Sequence, residues 1–343
     1  MLNHLRHRTV AGATGALLAL GSVAACGQDG SDDSAAATDT LTVIAAFYPL
    51  QFLAERVGGE TVSVANLAPP GAEPHDLELS PQQVGQVTDA DLVVYLSGFQ
   101  PAVDDAVEQA GGDRAFDVVT VQPLLDATDG GHSHEHGEEE EEHAEGEEEH
   151  AEGESEDEHA EGEDEHAGEE GAKDPHLWLD PTRLAAVGEE LAQRLGTADP
   201  DHADDYTARA ETLGTELAAL DTEYTEQLAT CERREIITSH TAFGYLADRY
   251  DLEQIGIAGL SPEDEPTPQR LAEVIEEARE HQATTIFFET LVSPDVADTI
   301  ASEVGAETAV LDPIEGLQPG ATDDYFSVMR SNLSTLTTAL GCS

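Results

Sequence analysis

Short strand-like runs alternate with helix-like runs along most of the chain. The strand-like runs are apolar and lie at 41–47, 62–67, 91–98, 115–121, 235–239, 286–290 and 308–312. Segments with apolar residues at helical spacing separate most of them. Strands separated by helices form βαβ units, in which the strands run parallel within one sheet. The sequence therefore predicts an α/β fold with parallel-type sheets.

A longer helix-like segment at 201–230 separates two halves of similar plan. Its apolar residues recur at helical spacing and its charged residues lie on the other side, which predicts one long, rigid helix. Ser80, Thr267 and Ser293 each precede a proline, a pattern that predicts a helix start with the hydroxyl residue as N-cap. The predicted division is an N-terminal lobe at 41–200, a linking helix at 201–230 and a C-terminal lobe at 231–343.

A tract rich in histidine and glutamate, at 129–172, interrupts the first half. It has almost no apolar side chains to bury, so it cannot offset the entropy of ordering its backbone, and we predict a disordered loop. One interpretation is a solvated charge run that adds solubility. The other is a loop that collects metal ions with low affinity, because a disordered chain must be ordered at each binding event. The candidate ligands of the loop are His132, His134, His136, His143, His150, His159 and His166.

The first 25 residues have the order of a bacterial secretory signal. Arginines precede an apolar run at 10–23, which is shorter than the roughly 20 residues that a bilayer requires. The small residues before Cys26 resemble a lipobox, which implies that Cys26 becomes the lipidated first residue and that residues 26–40 form a flexible tether. The alternative is an ordinary signal peptide with a chance cysteine. Either way the sequence predicts an extracytoplasmic protein, with the lipid as its membrane anchor in the first case.

The acidity of the chain and its cysteines narrow the classes of partner. The net charge is −59, and the residues outside 129–170 still carry a large excess of Asp and Glu over Lys and Arg. Nucleic-acid partners are excluded because they require a basic footprint. If Cys26 carries lipid, Cys231 and Cys342 remain as an even pair in an oxidising compartment, which predicts a disulfide bond.

Three histidines and one aspartate stand where a ligand would bind. His75, His240 and Asp312 follow predicted strands, and ligands of open α/β sheets bind at the carboxyl ends of strands. His176 comes directly after the acidic loop. Three imidazoles and a carboxylate from separate loops could complete a tetrahedron around a divalent ion. The sequence thus indicates a metal site.

Two further histidines fit an ordinary surface role. His202 lies among acidic residues at the start of the long helix. His281 lies near the end of an amphipathic helix, where a positive charge interacts favourably with the helix dipole. Neither is expected to bind the metal.

Six motifs occur together in the order and approximate spacing of one protein family. They are PGAEPHDLE, DPHLWLDP, SHTAFGYLADRYDL, EDEPTPQRL, IFFET and LDPIEG. In this combination the chain, over 41–343, resembles the metal-binding solute-binding proteins of bacterial ABC transporters (cluster A-I), in particular the zinc-specific ones. The resemblance implies two βα lobes joined by one long helix, with the metal in the cleft between the lobes.

The resemblance also implies a ligand set and a metal. The family's positions fall on His75, His176 and His240, with either Asp312 or a water in the fourth position. Manganese and iron relatives carry Glu where this chain has His240, and three imidazoles suit Zn²⁺ better than a site with two carboxylates. The His-rich insertion is also typical of the zinc branch, although here it is unusually long and repetitive.

The implied function is capture of Zn²⁺ outside the cytoplasm by a monomer and its delivery to an ABC permease, without catalysis. A manganese or iron binding protein and a surface zinc buffer or adhesin are the alternatives within this fold. A secreted zinc hydrolase is an alternative of another class, because three histidines and an open position also describe catalytic zinc. Against it, the chain has no HExxH motif, and Glu289 and Asp312 are its sole candidates for a general base.

Overall fold

Each half of the chain forms one four-stranded sheet. In the computed structural model, which describes residues 40–127 and 171–343, the strands of the first sheet are β1 (Leu41–Ala45), β2 (Val62–Asn66), β3 (Leu92–Tyr95) and β4 (Ala115–Asp117). The strands of the second sheet are β5 (Glu235–Thr238), β6 (Glu253–Gly256), β7 (Thr285–Phe288) and β8 (Glu307–Val310). All pairs within these two sheets are parallel. The predicted α/β fold with parallel sheets is confirmed.

The two sheets share one topology. Their strand orders are β2-β1-β3-β4 and β6-β5-β7-β8, so the second strand of each lies on one side of the first strand and the third strand lies on the other. Strand β6 was not predicted, because its sequence begins with the polar pair Glu253 and Gln254 and lacks an apolar run. Its pairing with β5 shows that sheet position, and not local pattern, makes this segment a strand.

Nine α-helices are present among the described residues. They are α1 (Tyr48–Gly58), α2 (Pro81–Asp89), α3 (Pro101–Ala110), α4 (Pro181–Ala198), α5 (Ala203–Leu228), α6 (Gly244–Tyr250), α7 (Pro268–Glu280), α8 (Asp295–Val304) and α9 (Tyr325–Leu340). Ser80 and Thr267 cap α2 and α7 as predicted, each accepting a backbone N–H of the first turn. The prediction for Ser293 is wrong, because Pro294 is itself the N-cap and α8 begins at Asp295.

Helix α5 is the predicted long helix between the two sheets. It has 26 residues, and Leu213, Leu217, Leu220 and Tyr224 are buried along one side at helical spacing. It contacts α1 and α4 of the first half and α9 of the second half. We call residues 40–127 and 171–198 the first lobe and residues 231–343 the second lobe.

The two lobes share one apolar core. A continuous cluster of buried side chains includes residues of β1, β3, α5, α6 and α9, and a smaller cluster covers the other face of the second sheet. Polar bonds join the lobes inside this core. Nε1 of Trp178 donates to the carbonyl of Pro313 at 2.7 Å, and the hydroxyl of Tyr325 donates to the carbonyl of Trp178 at 2.7 Å. The described residues from Thr40 to Ser343 accordingly belong to one compact unit.

A disulfide bond joins Cys231 to Cys342, as predicted from the even pair. It ties the end of α9 to the segment that precedes β5. With a sequence separation of 111 residues, the chain-entropy model gives a stabilisation of about 4–5 kcal/mol.

Some sequence predictions concern residues outside the described part of the chain. These are the signal segment, lipidation of Cys26, the tether and the seven histidines of the acidic loop. Among the described residues, none of the helices combines the length and apolar character needed to cross a bilayer.

Candidate metal centre

Four donor side chains from four separate loops meet in one cluster. They are His75, His176, His240 and Glu315, and their ligand atoms lie within 4.8 Å of one another. Nε2 of each histidine faces Oε1 of Glu315, at 3.3 Å for His75, 3.1 Å for His176 and 3.2 Å for His240. We call these four residues the donor cluster. Its atoms converge on a single point, as the ligands of one small ion would.

The sheet topology explains where the cluster lies. Because β6 and β7 flank β5 on opposite sides, a crevice forms at the carboxyl ends of β5 and β7, where open parallel sheets bind their ligands. His240 follows β5 and Glu289 follows β7. The first lobe supplies His75 from the loop between β2 and α2, and His176 from the segment before α4. The cluster therefore contains potential donor side chains from both lobes.

Two of the imidazoles are bonded to carboxylates through Nδ1, on the side of the ring that faces away from the cluster centre. Nδ1 of His176 donates to Oδ1 of Asp174 at 2.8 Å, and Nδ1 of His240 donates to Oε1 of Glu289 at 2.8 Å. Glu289 is itself oriented by the hydroxyl of Ser239, at 2.7 Å. Such pairs fix the tautomer and the ring orientation, leaving Nε2 for a metal, and they make the imidazole a stronger donor.

The charges of the cluster balance one another. Burial by itself would raise the pKa of Glu315, but the charge of His240 and hydrogen bonds from the imidazoles hold that pKa well below its ordinary value. Burial by itself would lower the pKa of His240, but the charges of Glu289 and Glu315 raise it to about 10. For His176, hydrogen bonds to Asp174 and Glu315 likewise outweigh burial and raise the pKa. Without metal, the raised pKa keeps a proton on His240 at neutral pH, in the place where a cation would bind.

His75 is held differently from the other two histidines. Its side chain is 10% exposed, whereas those of His176 and His240 are 0% and 1% exposed. Burial lowers the pKa of His75, and among the described residues no carboxylate bonds to its Nδ1 as Asp174 and Glu289 do for the other two rings. The nearby Glu73 accepts the backbone N–H of His75, and burial raises the pKa of Glu73 to about 7.

Aromatic rings form an apolar surface next to His75 and His176, the two histidines of the first lobe. Phe99 lies edge-on to His75 at 4.6 Å between centroids, and Trp178 lies 5.2 Å from His176. Phe47 packs against both Phe99 and Trp178. Water is thereby kept from one side of the cluster, which strengthens electrostatic interactions within it.

The donor set fits a zinc ion. Oε2 of Glu315 is buried and has no hydrogen-bond partner within the described ranges, so one carboxylate oxygen is free to bind a cation. Three neutral imidazole nitrogens and one carboxylate oxygen supply four ligands of the types that Zn²⁺ takes in tetrahedral sites. A carboxylate-rich site would instead suit harder ions such as Mn²⁺.

The structure places Glu315, and not Asp312, beside the three histidines. The carboxylate of Asp312 accepts hydrogen bonds from Oγ1 of Thr290 and from the backbone N–H of Ile314, both at 2.8 Å. Ile314, buried and with φ of 60°, turns the chain so that the next side chain enters the cleft. Positive φ is rare for a β-branched residue and costs of order 1–3 kcal/mol, so the surrounding packing must enforce it.

Sequence reasoning missed Glu315 although the LDPIEG motif contains both acids. Asp312 was preferred because it directly follows a predicted strand. The direction in which a loop side chain points cannot be read from the sequence pattern, so Glu315 was not recognised. Asp174 was also missed, although it lies two residues before His176. The signal that was available in both cases is a second carboxylate within three residues of a predicted ligand.

The remaining candidates lie away from the donor cluster or have other bonds. His202 bonds to Asp199 at 2.5 Å, and His281 faces Glu235 at 3.2 Å. Glu289, considered as a general base, is bonded to His240 and Ser239. It therefore lies behind His240 and not beside an open position.

Comparison with known proteins gives a family model that matches residues 43–339, described as the periplasmic component A of the zinc-uptake complex (ZnuA). The high-affinity zinc uptake system protein ZnuA of Bacillus subtilis (strain 168) is 36% identical over 322 residues, covering 93% of each chain. The zinc-binding protein AdcA of Streptococcus pyogenes serotype M3 is 33% identical over 298 residues. That match covers 86% of this chain and 55% of AdcA, so the chain spans about half the length of this relative.

Solved structures show the same fold. The laminin-binding protein Lmb of Streptococcus agalactiae, described as an adhesin with metal-transporting activity, matches with a TM-score of 0.70 at 28% identity, over 88% of this chain and 99% of that one. The Zn(II)-bound ZnuA-like domain of Streptococcus pneumoniae AdcA matches with a TM-score of 0.66 at 28% identity and the same coverage. Together with the family model and the Bacillus relative, these matches show that the chain belongs to the ZnuA family of zinc-uptake periplasmic proteins.

Proposed function

We propose that this protein binds one Zn²⁺ outside the cytoplasm and delivers it to an ABC permease for uptake. The observation that carries the proposal is the donor cluster, in which three imidazoles and one buried carboxylate converge between the two lobes. The proposed ligands are His75, His176, His240 and Glu315. Glu315 replaces Asp312 in the ligand set inferred from sequence, because its Oε2 is buried and unbonded among the described residues.

Zinc is favoured over manganese or iron as the transported ion. The cluster offers one carboxylate and three imidazoles, and the carboxylates of Asp174 and Glu289 face Nδ1 atoms and not the cluster centre. The names of the relatives support the same ion, since the Bacillus protein is a zinc uptake protein and AdcA is zinc-binding. Delivery to a permease follows from the family, whose members are components of a zinc-uptake complex.

A binding role fits the site better than hydrolysis. Catalytic zinc keeps one coordination position open for water, whereas here a fourth protein ligand is available. Both carboxylates considered as a general base, those of Glu289 and Asp312, are committed to hydrogen bonds. We therefore infer that the protein is not an enzyme.

Several further proposals rest on the sequence alone. Cys26 anchors the mature protein through lipid, residues 26–40 act as a tether, and the histidines of 129–172 collect zinc with low affinity. One relative, AdcA of Streptococcus pneumoniae serotype 4, is named a lipoprotein, which supports the anchor. We propose that the protein works as a monomer with the permease as its partner and no nucleic-acid ligand. The proposed division is a signal at 1–25, lobes at 41–200 and 231–343, and a linking helix at 201–230.

Growth in zinc-depleted medium tests the function. Deletion of the gene should abolish ⁶⁵Zn uptake and slow growth, and the parent chain should restore both. The Glu315→Ala variant should fail to restore them, while the matched control Glu235→Ala, whose carboxylate faces His281 away from the cluster, should succeed. Full uptake by the deletion strain, or by the strain carrying Glu315→Ala, would contradict the proposal.

The likeness to Lmb favours adhesion as a second function. A solid-phase laminin assay on the purified chain, with and without zinc, examines it separately. Laminin binding together with normal zinc uptake in the deletion strain would make the protein an adhesin and not a transport component.

A further inference from the structure

The hydroxyl of Tyr245 joins the second lobe to the loop that carries His176. Tyr245 belongs to α6, which begins four residues after His240. Its hydroxyl accepts the backbone N–H of Leu125 at 2.8 Å and donates to the backbone carbonyl of Asp174 at 3.0 Å. Both partners belong to the first lobe, and the Tyr245 side chain between them is buried, with 1% of the residue exposed.

This hydroxyl is connected to the donor cluster through Asp174. The backbone N–H of Asp174 donates to the carbonyl of Leu125 at 3.0 Å, so the tyrosine hydroxyl completes a closed set of three bonds. Oδ1 of Asp174 then accepts both the backbone N–H of His176, at 2.9 Å, and its Nδ1, at 2.8 Å. One residue of the second lobe therefore fixes the backbone of the residue that orients His176.

Gly244 lies against the side chain of the same aspartate. A Cβ atom at position 244 would lie 2.4 Å from Oδ2 of Asp174, closer than any such contact allows. The atom that it meets is the end of a side chain, so the carboxylate could rotate away at little cost to the fold. Rotation would break its bond to Nδ1 of His176. Gly244 is thus required by the approach of Asp174 and not by its backbone conformation.

We propose that Gly244 and Tyr245 are positioning residues for the metal site, a role that rests on the zinc-binding function proposed above. They hold the Asp174–His176 pair of the first lobe against the helix that follows His240 of the second lobe. Before the ion binds, two ligands from different lobes are thereby already held at the separation that one ion requires. Preorganised ligands lose less conformational entropy on binding, so the connection made by Gly244 and Tyr245 raises zinc affinity.

The Tyr245→Phe variant removes the hydroxyl and keeps the ring. The ring should stay in place, because the guanidinium of Arg183 stacks on it at 4.9 Å and also donates to the carbonyl of Pro123. Tyr224→Phe is the matched control, since that hydroxyl is equally buried and donates to the carbonyl of Met329, away from the donor cluster. Tyr245→Phe loses both neutral hydrogen bonds of this hydroxyl, which should weaken zinc binding about three- to tenfold, whereas Tyr224→Phe should leave zinc binding unchanged.

The Gly244→Ala variant tests the same connection through the contact between Gly244 and Asp174. Zinc affinity should fall about tenfold or more, as it does when a partner behind a metal-bound histidine is lost. Gly214→Ala in α5 is the control, because a Cβ there meets nothing within 4 Å. Both changes place alanine in a helix, where it is intrinsically favoured over glycine, so helix propensity lowers the stability of neither variant.

Three measurements on the full-length chain and its four variants decide the outcome: zinc affinity by competition with a chromophoric chelator, the visible absorption of the Co²⁺-loaded site, and urea unfolding without metal. The proposal expects weaker zinc binding and an altered Co²⁺ spectrum in Tyr245→Phe and Gly244→Ala only. Parental zinc affinity and spectrum in those two variants would overturn it, whatever their stability. If the parent itself does not bind zinc, the proposed function fails instead, so the two failures are distinguishable.

Discussion

His75 and His240 direct Nε2 at the same oxygen of Glu315, yet they lie in different surroundings. His240 is 1% exposed and has a carboxylate on each side, Glu289 at Nδ1 and Glu315 at Nε2. His75 is 10% exposed, and its ring has one hydrogen-bond partner among residues 40–127 and 171–343, namely Glu315. The pKa shifts follow, because neighbouring charges raise the pKa of His240 to about 10 while burial lowers that of His75.

The difference indicates separate roles for these two proposed ligands. His240 is part of a buried charge network that exists before metal binds, so it contributes to folding as well as to binding. His75 lies in a loop that reaches across to the second lobe, where the N–H of Gly71 donates to the carbonyl of Leu317 at 2.8 Å. Of the three histidines it is the one accessible to solvent, and a metal ion can approach the cluster beside it.

Alanine variants of His75 and His240 should differ most in their free energy of unfolding when the protein is free of metal. His240→Ala leaves Glu289 buried without a positive partner and removes one of the three imidazoles that face Glu315, so we expect a loss of about 3–5 kcal/mol in the free energy of unfolding at pH 7. His75→Ala removes one weak bond and should cost less than about 1.5 kcal/mol. Urea denaturation of chelator-treated protein measures both.

The stability difference between the parent and His240→Ala should depend on pH. The pKa of His240 is raised in the fold from its ordinary 6.5 to about 10, so its contribution to stability is complete below about pH 6.5 and is lost as pH rises through about 10. The gap between parent and His240→Ala should therefore narrow at high pH. Equal losses in the two alanine variants at pH 7 would show that the two ligands are not held differently.

Zinc affinity should fall as pH is lowered from 7 to 5. Zinc must displace the proton that the raised pKa of about 10 places on His240, and one linked proton changes the affinity tenfold per pH unit, so the fall over these two units is about a hundredfold or more. His75, whose pKa is lowered, should add little to the slope above its own pKa. Chelator competition at three pH values measures the slope, which His75→Ala should preserve. A flat profile would mean that carboxylates dominate the site.

Replacing His240 by glutamate should change the choice of metal. The carboxylate exchanges a borderline nitrogen ligand for hard oxygens, so the ratio of zinc to manganese affinity should fall by more than about tenfold, or ~1.4 kcal/mol. His202→Glu and His281→Glu are controls outside the donor cluster and should keep the parental ratio. Parental binding of both ions by His240→Glu would remove His240 from the ligand set.

Deletion of residues 129–170 should have the smallest effect on the tight site. All four proposed ligands lie outside that range, and the N–H of Ala127 donates to the carbonyl of Ala172 at 2.9 Å, so the two ends that remain are already neighbours. Calorimetry should find one tight zinc site within about twofold of the parent affinity, with only weaker sites lost. Disappearance of the tight site would place it in the deleted segment.

Much of the fold could be predicted because its signals are local. Buried strands such as β1 and β5 are apolar runs, the cap of α2 is a Ser-Pro pair, and the linking helix has a continuous helical period. Strand β6 and the start of α8 were missed or misplaced, since one depends on pairing with β5 and the other on a turn at Pro294. Local pattern decides an element only where burial and period agree.

The sequence by itself determined the α/β class, the disulfide pair and the three histidines, because each depends on residue type and on position relative to strand ends. Tertiary structure alone decided the fourth member of the donor cluster, since Ile314 at φ of 60° turns Glu315 inward while Asp312 bonds to Thr290. It also decided the opposite pKa shifts of His75 and His240. Which way a loop side chain points, and which charges surround it, depend on the packing of both lobes, and no local pattern of residues encodes that packing.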